Sequence, residues 1–182
     1  IAAKKSSDTP HGKERKTFMA AFDRILSGYS GLDEMLDSIR LGDNVVWQVD
    51  DVKDFCIFAE PFVRQAVKDH RDVVYIRFAQ HTPVIRNTDG VTVRTFNPDE
   101  GFEAFTVAIH NEITLHGKDA FYVFDCLSEL QSVWYTDLMM GNFFRVTCPY
   151  LFELDTVAYF PLLRGRHSFD AVARIRDTTQ LL

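Results

Sequence analysis

Asn44-Val45-Val46-Trp47-Gln48-Val49-Asp50-Asp51-Val52-Lys53-Asp54-Phe55-Cys56 runs from an apolar strand through a short acidic loop into an amphipathic helix. The β-branched and aromatic residues before Asp50 suit a pleated, buried surface. From Phe55 onward, Phe58, Ala59, Phe62, Val63, Ala66 and Val67 fall on one face of a 3.6-residue repeat. Asp54 is the expected N-cap of this helix, and Pro61, off the apolar face, is expected to kink it. At such a junction a nucleotide-binding α/β domain keeps its phosphate cradle. There, glycines turn backbone N–H groups inward while a Lys and a hydroxyl hold the β/γ-phosphates and Mg²⁺. The loop of this chain has no glycine. Asp50 and Asp51 stand where a polyanion would sit, and Phe55 and Cys56 take the places of the Lys and the hydroxyl.

Outward from this junction, apolar runs at Val73 to Phe78, Val91 to Phe96, Phe121 to Asp125 and Thr156 to Phe160 alternate with helical patterns. Nearly continuous apolarity predicts strands buried on both sides. Asn97-Pro98-Asp99-Glu100 reads as a helix start, with a cap, a first-turn proline and two acids at the positive dipole end. Phe102, Phe105, Ile109 and Ile113 continue it as one stripe that Gly117 closes. A third helix is expected over Ser132 to Val146, and a fourth from Ser168 with Phe169, Val172, Ala173 and Ile175 facing inward. The pattern predicts a three-layer α/β domain with a mostly parallel central sheet and helices on both faces.

At 182 residues and 46% apolar composition the chain can bury one full core. A net charge of -6 argues against nucleic acid or an anionic membrane as partner. No apolar run reaches the length of a membrane span, and no apolar stretch follows the basic start, so a cytoplasmic location is expected. Cys56, Cys126 and Cys148 lie far apart without CxxC spacing and read as small core residues. Residues 1–17 read as a flexible basic arm and residues 18–182 as a single domain. Leu181-Leu182 falls inside an apolar pattern without a stop signal, so the domain is expected to belong to a longer protein and to be cut before its last strands.

Ser27-Gly28-Tyr29-Ser30-Gly31-Leu32-Asp33-Glu34-Met35-Leu36, followed by Leu41-Gly42-Asp43-Asn44, resembles the segment that leads into the phosphate loop of KaiC-type and RecA-like ATPases. Val73 to Gln80 is similar to the second strand of that family, which ends in a Glu pair that activates the attacking water. Ala79 and Gln80 stand in those places, and neither can act as a general base. Tyr122-Val123-Phe124-Asp125-Cys126 resembles the Walker B strand, with the metal-directing acid kept as Asp125. The resemblance covers roughly residues 25–182. It implies a RecA-like domain that has lost the phosphate-loop Lys, the Mg²⁺ hydroxyl and the catalytic Glu. Lys53 is the one cation of the loop. A further resemblance, of the overall pattern, is to the N-terminal part of phosphoenolpyruvate synthase or pyruvate phosphate dikinase-like phosphotransferases. It implies a parent kinase-type enzyme using Mg-ATP, with no cofactor expected for this segment.

Asp125 at a strand end reads either as a metal ligand or as the cap of a following turn. His81, with Gln80 and Arg77, reads either as part of a small-anion or partner site or as an exposed loop histidine. His110 and His116 lack i, i+4 spacing and read as core or surface. Ser27, Ser30, Ser128 and Ser132 lie in no G-x-S-x-G turn, which leaves nucleophilic catalysis without a sequence signal. Arg174 and Arg176 read as a solvated helix face. The favoured function is a catalytically inactive regulatory or assembly module, partnered by other domains of the same chain or by further copies of itself. The alternatives are a non-hydrolysing nucleotide or small-anion sensor at Asp50, Asp51, Lys53, Asp54, Phe55, Cys56, Gln80, His81 and Asp125, and an enzyme without a sequence signature.

Overall fold

A computed structural model describes residues 24–134 and 136–182. The expected arm at residues 1–17 lies outside the described residues. A two-stranded antiparallel ribbon, β1 (Arg24–Ile25) and β2 (Ile39–Arg40), brackets the short helix α1 (Ser30–Leu36). Five strands then build one wholly parallel sheet: β3 (Asn44–Val49), β4 (Val73–Arg77), β5 (Val91–Thr95), β6 (Phe121–Phe124) and β7 (Val157–Leu163). Their spatial order is β3-β7-β6-β4-β5. The helices are α2 (Val52–Lys68), α3 (Phe102–His116), α4 (Leu130–Trp134), α5 (Asp137–Glu153) and α6 (Phe169–Arg176).

Side-chain alternation along the strands divides the core into two halves. On one face Val45, Tyr75, Val123 and Tyr159 pack with Phe55, Ala59, Phe62, Val63 and Ala66 of α2. On the other, Val46, Val74, Ile76, Tyr122, Phe124 and Phe160 pack with Phe105, Ile109 and Ile113 of α3, Phe143 and Phe144 of α5 and Ile175 of α6. The three-layer α/β architecture expected from the sequence is the one observed.

The structure corrects several local expectations. Helix α2 begins three residues earlier than Phe55, with Asp51 rather than Asp54 as its N-cap. Pro61 sits inside a helix that continues to Lys68. The i−4 carbonyl that loses its donor there belongs to Ile57. Strand β5 is an edge strand with a largely exposed surface rather than a buried one. Asn97 caps a separate 3-10 turn at Pro98–Glu100, and α3 starts only after Gly101. The third helical region divides into α4 and α5. In α6 the inward face is Ala171 and Ile175, while Phe169 is 80% exposed.

Connection geometry positions the site. β3 leads into α2 on one face, whereas its neighbour β7 leads into α6 on the other. The same parting recurs between adjacent β4 and β6. The loop after β4 packs Val84 and Ile85 into the α2 side, and the segment after β6 enters α4 and α5 on the opposite side. Strands whose successors leave to opposite faces open a crevice at their C-terminal ends, the usual ligand position in open α/β sheets. This sheet has two.

Candidate functional site: two strand-end crevices

The crevice between β3 and β7 holds the acidic loop. Asp51 Oδ1 accepts the Lys53 N–H at 2.9 Å, and Asp54 Oδ2 accepts the Asp51 N–H at 3.3 Å. This reciprocal capping box places a carboxylate of the chain itself at the positive end of α2. Asp50 pairs with Arg164 Nη1 at 3.3 Å, and Arg164 Nη2 donates to the Gln48 carbonyl at 3.3 Å, so the ends of β3 and β7 are tied across the gap. Lys53 Nζ lies 3.9 Å from Asp51 Oδ2 on a side chain 87% exposed. Phe55 is buried in the core. Cys56 is half-buried with Sγ 3.8 Å from the Val52 carbonyl, and burial, then the Glu60 carboxylate, push its thiol above the ordinary value.

In the crevice between β4 and β6 the central group is Asp125, at 0% exposure. Tyr75 donates its hydroxyl to Oδ1 at 2.5 Å. Oδ2 accepts the N–H groups of Phe78 and Ala79, each at 3.0 Å, and Arg77 Nε at 3.3 Å. Arg77 Nη2 reaches on to the carbonyls of Ala79 and His81 at 3.3 and 3.0 Å. Val84 N–H donates to the Tyr75 oxygen at 2.9 Å, carrying the network into the loop after β4. Burial, and then the charge of Asp125, drive the Tyr75 phenol far above its ordinary value, so it stays protonated and donating.

His81 Nε2 accepts the Cys126 N–H at 3.0 Å, which requires a lone pair on that nitrogen, and Nδ1 then donates to the Thr82 carbonyl at 2.8 Å. The ring is therefore neutral in this geometry. The 3.9 Å approach of Nε2 to Asp125 Oδ1 is a contact rather than an ion pair. Its side chain is mostly buried, which corrects the exposed-loop reading.

The predicted residues thus divide. Asp51, Lys53, Cys56 and His81 line one cleft of about 280 Å³ between the start of α2 and the loop after β4. Gln80 faces a second cleft of about 620 Å³ at the ends of β4, β5 and β6, shared with Phe96, Asp99 and Glu129. Asp125 lines neither. A Mg-nucleotide does not fit this donor set: a carboxylate caps α2, the loop cation points to solvent, and the strand-end acid is already engaged by four donors. Among the described residues, no three His, Cys, Asp or Glu side chains converge as a metal site.

The chain matches no protein-family model and no curated protein. Among the described residues no helix is long and apolar enough to cross a membrane.

Sequence reasoning missed Tyr75, whose strand pattern marks it only as core. It also missed a hydrogen-bonded set formed by Ser128, His167 and Asp137, which lie 39 and 30 residues apart in the chain and carry no local signature.

Proposed function

We propose that this domain is a degenerate member of the KaiC-type, RecA-like group, retained as a non-hydrolysing regulatory or assembly module of a longer, phosphoenolpyruvate synthase-like phosphotransferase. The observation that carries the reading is that at each strand-end crevice one of the chain's own carboxylates, Asp51 in one and Asp125 in the other, already takes up backbone N–H groups. Each accepts the backbone N–H groups that an anionic ligand would need, and each would repel a phosphate. What such a fold still offers is surface. Tyr29, Met35 and Ile57 are exposed, and Tyr29, Phe58 and Trp47 form an aromatic row along the β3 and α2 edge, with Trp47 stacked on Phe58 at 4.2 Å.

The test is the thermal midpoint with millimolar Mg-ATP, Mg-ADP and ATP alone, on wild type and on Asp51→Ala. A ligand at about a hundred times its dissociation constant adds roughly 2.7 kcal/mol, about 5–11 °C for a domain of this size. No shift is expected in the wild type. A shift of that size, abolished by Lys53→Ala, would instead establish the sensor reading, in which Lys53 and Arg86 beside the 280 Å³ cleft receive the anion.

A further inference from the structure

Away from both crevices, three side chains from separate elements form a linear chain. Ser128 Oγ lies 2.7 Å from His167 Nε2, and His167 Nδ1 lies 3.0 Å from Asp137 Oδ1. Ser128 sits in the turn after β6, Asp137 is the first residue of α5, and His167 belongs to the connection between β7 and α6. The His167 side chain is 2% exposed.

Hydrogen-bond partners hold each member of the chain in place. Burial alone would raise the Asp137 carboxyl, but the Ser168 N–H and His167 outweigh it and hold the group below the ordinary carboxylate value. The ionised carboxylate only accepts, so Nδ1 carries a hydrogen, and in the neutral form of the ring Nε2 presents its lone pair to Ser128 Oγ. Ser128 Oγ accepts the Leu163 N–H at 2.8 Å and lies within hydrogen-bond reach of His167 Nε2, to which its hydroxyl can donate. Asp137 is held in turn by the Ser168 N–H at 2.7 Å and by Gln131 Nε2 at 3.0 Å. Hydroxyl to imidazole, imidazole to anchored carboxylate is the polarity of an activated serine.

We propose that Ser128 is a nucleophile, with His167 as its general base and Asp137 orienting the imidazole, and that it takes an activated acyl or phosphoryl electrophile. Ser128 is 8% exposed. With an ester, Oγ bonds to the carbonyl carbon as its proton passes to Nε2. The bond from that carbon to the leaving oxygen then breaks, and the departing alkoxide takes the proton from Nε2. Water deprotonated by the same nitrogen releases the acid and restores the hydroxyl. The Leu163 N–H positions Oγ through the bond it donates. This site is independent of the nucleotide reading, and its test has a separate readout.

The experiment treats native protein with diisopropyl fluorophosphate and locates the adduct by intact mass and peptide mapping. Oγ–P forms, P–F breaks, fluoride leaves, and the serine proton goes to His167. One adduct is expected, on Ser128, absent from Ser128→Ala and from heat-denatured wild type. His167→Gln and Asp137→Asn, each checked for native near-UV circular dichroism, should label about 100-fold more slowly or worse. If the buried His167 variant does not fold, Asp137→Asn alone carries the comparison. No Ser128 adduct above that of denatured protein would overturn the proposal, as would equal labelling rates in a folded Asp137→Asn protein.

Discussion

Replacing Asp125 with alanine separates a structural carboxylate from one held for a ligand. The wild-type group is fully buried and accepts from Tyr75, Phe78, Ala79 and Arg77, so its removal leaves two backbone N–H groups, a phenol and a guanidinium without their acceptor. Removing one side of a buried, hydrogen-bonded charge pair costs about 3–5 kcal/mol. The Arg77 side chain is 23% exposed and recovers some hydration, which places the expected loss toward the lower end. For a domain of this size the thermal midpoint should fall by roughly 6–20 °C. The urea midpoint should drop without a change in slope, since the surface exposed on unfolding is the same. Tyr75→Phe should cost less, about 1–3 kcal/mol, chiefly by orphaning the Val84 N–H. The double variant should lose less than the sum of the two, because both break the same bond. A carboxylate kept for a metal at the expense of stability behaves in the opposite way, and its removal stabilises. A midpoint unchanged or raised in Asp125→Ala would therefore refute the view that this acid exists to close the crevice.

Glu112 accepts from Arg94 Nε at 2.7 Å and faces His116 Nε2 at 2.9 Å. Burial alone would raise its carboxyl, but these partners hold it below the ordinary 4.5. Because the folded value is the lower one, the stability it contributes is complete above about pH 4.5 and is lost as pH falls through the folded value. Midpoints measured from pH 7 to 3 should fall less steeply for Glu112→Gln than for wild type, and parallel curves would count against the pairing. Gly28 has φ +77°, and a Cβ there would lie 2.3 Å from the Pro61 carbonyl oxygen, while at Gly165, φ +71°, it would meet nothing within 4 Å. Gly28→Ala should cost roughly 2–4 kcal/mol from strain plus the clash, and Gly165→Ala only about 1 kcal/mol from the backbone alone, both readable by urea unfolding.

Local pattern made the strands and most helices legible. The runs at Val73 to Phe78 and Phe121 to Asp125 became β4 and β6 within a residue or so, because a strand buried on both faces leaves continuous apolarity in the sequence. The absence of glycine between Val49 and Phe55 was likewise visible, and with it the lack of a phosphate cradle. Composition could not say that β5 lies at the sheet edge, since Val91 and Val93 look the same in an edge strand as in a central one. Nor could periodicity show that Phe169 faces outward, for a short helix is turned by what it packs on, here through Ala171 and Ile175.

The sequence by itself determined the period of each element and the chemistry each loop could carry, since both are properties of neighbours along the chain. Only the tertiary structure decided what fills the crevices and which distant groups meet. Asp125 is engaged because parallel pairing sets the end of β6 beside that of β4, where Tyr75 and the turn after Arg77 offer their donors. Ser128, His167 and Asp137 converge because β6 and β7 lie side by side and α5 returns to begin next to both connections. Such meetings depend on crossovers tens of residues long, and a hydrogen bond leaves no periodic trace in the chain that makes it.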